Sequence, residues 1–151
     1  QLGTSQDLLK DYFEATDSFS KSIRIATNDE ERALSFDGLA RAYYLNNKAS
    51  NAVESGLKAS LLYQKVGLYG EYADSTIELS RYYYLDKQET KALSVLKKLE
   101  KFCIDNGGEY YLAKTLIAQS SLLEKLGKTD LSIDKQNKAD ILIERLGAKD
   151  L

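Results

Sequence analysis

The stretch Leu39-Ala40-Arg41-Ala42-Tyr43-Tyr44-Leu45 returns forty residues later as Leu79-Ser80-Arg81-Tyr82-Tyr83-Tyr84-Leu85, and the register continues through Ser120 and Leu123. Each copy is followed at the same steps by a small residue (Ala52, Ala92, Ser132), by Ala59, Leu99 or Ala139, and by a glycine at 67, 107 or 147. One copy of such a unit cannot bury its own apolar face, so the copies must stack. The expected fold is therefore all-α, an array of antiparallel helical hairpins.

Apolar residues at helical spacing, with capping and stop signals, place seven helices. The first spans 4–27, with Leu8, Leu9, Tyr12, Phe13, Phe19, Ile23 and Ile25 in helical register and Thr4 or Ser5 as N-cap. Asn28 then caps a helix over 29–46 while Glu31 reaches back, a capping box with acidic residues at a positive helix end. Short polar turns join that helix to one over 49–66, the helix over 71–85 to one over 89–106, and the helix over 109–126 to one over 129–146. Gly67, Gly107 and Gly147 supply left-handed stops, and Gly70 loosens the first of these corners. The organisation is a single domain over 1–151: an N-terminal helix (4–28) and repeats at 29–67, 68–107 and 108–147. In the forty-residue register the first helix falls where the second helix of an earlier repeat would lie, so either a repeat has been cut off upstream or this helix is an N-terminal cap; the chain is expected to be a fragment of a larger protein.

Small residues at 40, 80 and 120 let paired helices approach closely, while Tyr43, Tyr83 and Leu123 fill the gap between hairpins. This pattern resembles the tetratricopeptide repeat, in its longer forty-residue form found in bacterial signalling regulators. The resemblance covers roughly 33–147 and implies a right-handed α-α superhelix, or solenoid. The usual unit is about 34 residues, so the extra length here lies in the helices. The third repeat departs furthest, with Gln119 where Leu39 and Leu79 stand, and is expected to be the least stable. The middle of the last helix, Asp134-Lys135-Gln136-Asn137-Lys138, is polar on nearly every side and reads as a solvent-facing C-terminal cap or as a linker to a further segment.

In such arrays the first helix of each hairpin lines a concave groove. The resemblance then places Leu34, Asp37, Arg41 and Tyr44 in the groove from the first repeat, and Asp74, Ile77, Arg81 and Tyr84 from the second. Lys114, Ile117, Ser121 and Glu124 come from the third. Arg41 and Arg81 suit carboxylates, because the planar guanidinium fork bonds both oxygens, and the tyrosines can flank a peptide. The alternative is that each Arg pairs with Asp37, Asp74 or Glu78. Tyr43 and Tyr83 are assigned to the core, and Tyr72, Tyr82, Tyr110 and Tyr111 are left undetermined.

Several classes of function are disfavoured. The chain has no histidine, which removes the commonest general base and most transition-metal sites, and its single cysteine, Cys103, excludes an internal disulfide. No calcium-loop or phosphate-loop motif is present. Lys+Arg total 21 against 23 Asp+Glu, so no global field draws the chain to nucleic acid or an anionic membrane. No apolar run approaches the roughly 20 residues of a bilayer span.

The expectation is a non-enzymatic scaffold without cofactor or metal, binding a protein or peptide segment that is acidic or bears a free carboxylate. It would serve as the sensory or interaction module of a bacterial regulator, cytoplasmic or, after removal of a signal peptide, periplasmic. The narrower alternative is a peptide-pheromone sensor in quorum sensing, and an all-helical enzyme is the third reading. Self-association is left open.

Overall fold

The computed structural model describes residues 5–147, which form seven α-helices and no strand. They are α1 (Ser5–Ile25), α2 (Asp29–Leu45), α3 (Ala49–Val66), α4 (Tyr69–Leu85), α5 (Glu89–Asn106), α6 (Glu109–Lys125) and α7 (Thr129–Leu146). The expected bounds agree within two residues. α4 begins ahead of Glu71, so Gly70 lies in its first turn and not in the corner. Thr4, one of the two proposed N-caps, lies outside the described residues.

The Asn28 side chain accepts from the Glu31 N–H at 2.8 Å, and the Glu31 carboxylate accepts from the Thr27 N–H at 3.0 Å. This is the expected capping box with its return bond one residue further upstream. Asp29 in the same turn accepts from Lys65 at 2.8 Å and Arg32 at 2.7 Å, and these two cations, Lys65 foremost, hold its carboxyl below the usual range.

At the end of α3, Gly67 takes φ +80°; its N–H bonds Gln64 O, and the Leu68 N–H bonds Tyr63 O. That paired closure satisfies two carbonyls the helix end would otherwise leave open. The same pair of bonds ends α2 at Asn47 and Lys48, α4 at Lys87 and Gln88, and α6 at Gly127 and Lys128. Asn47 and Lys87 therefore both sit at φ +60°. The turns inside the hairpins stop the chain by the geometry that glycine marks at the corners, and the sequence advertises it only at Gly127.

Contacts divide the chain into two units, Gln1–Gln88 and Glu89–Leu151, and the division falls inside the second repeat. In the first unit α1 packs on α2, α2 on α3 and α3 on α4. Ala33 and Ala40 of α2 and Ala52 and Ala59 of α3 are fully buried, as close helix approach requires. On α4, Leu79 and Tyr83 are buried and Tyr82 covers Gly56, where an added Cβ would stand 3.0 Å from the ring. Tyr43, assigned to the core, is only half-buried, its ring 6.3 Å from that of Tyr12.

In the second unit α6 packs on both α5 and α7. Ala113 and Leu116 of α6 form a core cluster with Ala139 and Leu142 of α7. Ser132 donates to the Ser120 carbonyl at 2.8 Å, and the two hydroxyls are 3.0 Å apart. Cys103 is buried, which pushes its thiol up and leaves it little thiolate character.

Gln119 is buried and donates to Glu100 of α5 at 3.1 Å, while Lys135 of α7 reaches both oxygens of the same carboxylate at 3.2 Å. The middle of α7 is therefore not wholly a solvent-facing cap, because Lys135 is largely covered and ties α7 to α5. Its neighbours do face water. Lys138 pairs with Asp134 and Gln136 donates to Asp140, all on the helix surface.

Candidate functional site: a polar face on α2 and α4

Arg41 and Arg81 are exposed on α2 and α4 of the first unit, one repeat apart. Their surroundings differ. Arg81 is ion-paired to Glu78 one turn earlier on its own helix, which realises the structural alternative for that residue. At the matching place before Arg41 stands Gly38, and among the described residues no carboxylate lies within ion-pair distance of Arg41. The repeat thus presents one neutralised guanidinium and one that remains available.

Asp37, one turn before Arg41 on α2, is half-buried. Burial pushes its carboxyl above the usual range, the nearby charges of Glu78 and Asp74 push it further, and only Arg41 opposes them. Three carboxylates from two helices thus feel one another, as expected for side chains sharing one face. Tyr44 completes that face, its ring 5.3 Å from Tyr82. The Tyr82 hydroxyl is pushed well up by burial and then by Glu78 and Asp37, so it remains a neutral donor. Tyr63 is buried too and is pushed up to about 12.

The other expected groove residues are distributed less evenly. Leu34 and Asp74 are exposed and Tyr84 is half-buried. Ile77 is buried, only 7% exposed, so it serves the core of its unit and is withdrawn from any ligand surface. Lys114, Ile117, Ser121 and Glu124 all lie on α6, in the second unit. Lys114 sits over the rings of Tyr110 and Tyr111, 5.7 and 5.6 Å from their centroids, which makes it part of a cation–π cluster. Tyr82 is undetermined by sequence alone. Gly56 on α3 is the small residue that makes room for its ring, but nothing in a linear reading pairs position 56 with position 82.

No group of His, Cys, Asp or Glu among the described residues could hold a metal ion, and no described helix is long and apolar enough to cross a membrane.

Seven helices on a forty-residue period, with small residues buried at matching positions and the same paired closure after α2, α3, α4 and α6, make the described residues an all-helical array of tetratricopeptide-like repeat fold. No protein-family model matches the chain, and no curated protein matches it. Among solved structures it is similar to the crystal structure of nearly identical TPR-like repeats from a putative kinesin light chain of Podosopora anserina, at 15% identity and a TM-score of 0.47, covering 91% of this chain and 90% of that one. A single-substitution variant of that same protein matches at 15% identity and a TM-score of 0.47, over 91% of this chain and 89% of that one.

Proposed function

We propose that the chain is a non-enzymatic binding module that holds a protein or peptide segment on the α2/α4 face of its first unit. The observation that carries this reading is Arg41, an exposed guanidinium without an ion-pair partner, beside the rings of Tyr44 and Tyr82 and a half-buried acid. A carboxylate from a ligand would receive two parallel N–H bonds from such a fork, with aromatic faces alongside. An acidic segment or a free C-terminal carboxylate is the matching ligand class. The forty-residue period adds the narrower reading, in which the ligand is a short signalling peptide and the chain is the sensory part of a bacterial regulator.

The test is Arg41→Lys, which keeps the charge and removes the planar fork. Binding of a carboxylate-terminated peptide, followed by calorimetry, should weaken while thermal stability stays within about 0.5 kcal/mol, as for exposed substitutions. Arg81→Lys should weaken it less, because Glu78 already occupies that guanidinium. Equal binding by parent and Arg41→Lys would remove Arg41 from the site.

A further inference from the structure

The corner after α5 differs in chemistry from the other glycine corners. Gly67, Gly127 and Gly147 follow Val66, Leu126 and Leu146, whereas Gly107 follows Asn106, the only Asn-Gly step in the chain. Asn106 is the last residue of α5, and both it and Gly107 are exposed. Gly107 stands at φ +71°, and a Cβ built on it would meet nothing within 4 Å, so nothing crowds its nitrogen from that side. Among the described residues the Gly107 N–H has no backbone acceptor, while those of Gly67, Gly127 and Gly147 each donate to the carbonyl three residues back. One restraint opposes reaction: Asn106 Nδ2 donates to the Phe102 carbonyl at 2.8 Å. That bond lies in the last turn of an exposed helix end, where fraying costs little. The comparable Asp37-Gly38 step sits inside α2 with the Phe19 ring over the glycine, so the helix itself would have to open there.

We propose that Asn106 is a site of spontaneous modification, at which the Gly107 nitrogen attacks the side-chain amide and turns Asn106 into a mixture of aspartate and isoaspartate. The Gly107 nitrogen gives its proton to water and bonds to Asn106 Cγ. The Cγ–Nδ2 bond breaks, and Nδ2 takes up a proton and leaves as ammonia. Water then opens the cyclic imide: attack at Cγ restores the ordinary backbone and gives aspartate, and attack at the Asn106 backbone carbonyl leaves the chain running through Cβ and Cγ as isoaspartate. Glycine permits the approach because it has no side chain to obstruct it. Both products lose the donor to Phe102 and place a carboxylate at the negative end of α5. No cation stands in that last turn, and Asp105 already occupies Lys101. Isoaspartate also lengthens the backbone by one carbon inside the turn that the Gly108 N–H closes on the Cys103 carbonyl at 3.0 Å. The modified chain therefore holds the end of α5 less firmly. The site belongs to the second unit and does not rest on the α2/α4 reading.

The test ages the full chain at neutral and mildly alkaline pH and follows it by tryptic mapping. Cleavage after Lys101 and Lys114 releases residues 102–114, in which Asn106 carries the only side-chain amide. That peptide should gain the mass of an amide-to-acid exchange, faster at the higher pH because the attacking nitrogen must shed its proton, and should split into aspartyl and isoaspartyl forms. Peptides carrying Asn46, Asn51 and Asn137 should stay unchanged over the same period. Synthetic 102–114 peptide gives the unrestrained rate, and the folded chain should convert within about tenfold of it, since only one side-chain bond and a frayed turn stand in the way. Asn106→Gln should stop the exchange. Asn106→Asp supplies the aspartyl product directly and should melt about 2–4 °C below the parent, the shift for roughly one hydrogen bond in a chain of this size. The proposal is overturned if the folded chain keeps its mass while the free peptide converts, because the bond to Phe102 then protects the amide. Aspartate formed without isoaspartate overturns it too, since hydrolysis would then bypass Gly107, and so does an Asn106→Asp chain that melts with the parent.

Discussion

The ring of Phe19 rests on the bare backbone of Gly38, so closely that a Cβ at position 38 would stand 2.3 Å from Phe19 Cε1. α1 therefore meets α2 through a ring on a glycine, and position 38 is kept empty for it. An added methyl brings two opposed effects. Ala is better than Gly in a helix interior by about 1 kcal/mol, but the ring must swing away from its place. In the Phe19→Ala background, Gly38→Ala should stabilise by about that propensity difference. In the parent the gain should be smaller or reversed. Thermal melts of the four proteins measure the difference as a coupling energy, expected at roughly 0.5–3 kcal/mol for residues in contact. Simple additivity would mean that the ring does not pack there.

Gln119 occupies the position where Leu39 and Leu79 stand, and it is the donor arm of a three-helix polar network with Glu100 and Lys135. Its carbonyl oxygen is buried without a partner. Gln119→Leu removes that orphan acceptor and leaves the Glu100–Lys135 pair in place, so it should be neutral or stabilising by up to about 1 kcal/mol. Lys135→Met leaves Glu100 largely covered and short of a cation, and should destabilise by about 1–3 kcal/mol. Chemical denaturation at neutral pH compares them. A strongly destabilising Gln119→Leu would mean that the amide contributes more than the leucine that replaces it.

Lys87 closes α4 at φ +60°, the place that Gly127 takes after α6. A side chain in that region costs about 1–2 kcal/mol, because its Cβ crowds the neighbouring carbonyl. Lys87→Gly relieves the crowding but gives the unfolded chain more freedom to lose. The net should be a stabilisation of up to about 1 kcal/mol, with Lys87→Asn intermediate because Asn tolerates this conformation better. A rise in denaturation midpoint with unchanged slope is the signature, and a fall would show the turn opening differently in solution.

The legible part of this molecule is its periodicity. Small residues at 40, 52, 59, 80, 92, 120, 132 and 139 are all buried, and helix limits follow from Asn28, Gly67, Gly107 and Gly147, because spacing and stop signals are local properties of the chain. Pairing between helices is not local and cannot be read the same way. Ile77 falls on the same helical stripe as Arg81, yet burial depends on what lies across from it, and the structure puts it in the core. Glu78 and Asp74 are equal candidates in sequence to neutralise Arg81, and side-chain geometry selects Glu78. Lys135 reads as one more solvated charge until folding brings Glu100, thirty-five residues away, within reach. Repeats duplicate positions faithfully, whereas the single exchange of Glu78 for Gly38 changes what the neighbouring arginine can do.

Asp37 supplies the last prediction. Burial raises its carboxyl, Glu78 and Asp74 raise it further, and Arg41 opposes both. Its folded-state value therefore lies above its unfolded one, so the native state takes up the proton more readily. The resulting stability is fully present below the unfolded value, roughly 4 for an ordinary Asp, and is lost as pH rises through the folded value. At neutral pH the ionised group is a net cost, moderated because the side chain is partly open to water. Asp37→Asn removes the charge at nearly constant shape, so it should melt higher than the parent at pH 7, by up to about 3 °C. The two curves should converge as pH falls through the carboxylate range. Arg41→Gln removes the one opposing charge, so it should lower the parent's melting temperature at pH 7 more than it lowers that of Asp37→Asn. Melts across pH 3 to 8 read both effects. A gap between Asp37→Asn and parent that widens toward acid would mean that the folded protein favours the ionised carboxylate, with Arg41 outweighing burial and both neighbouring acids.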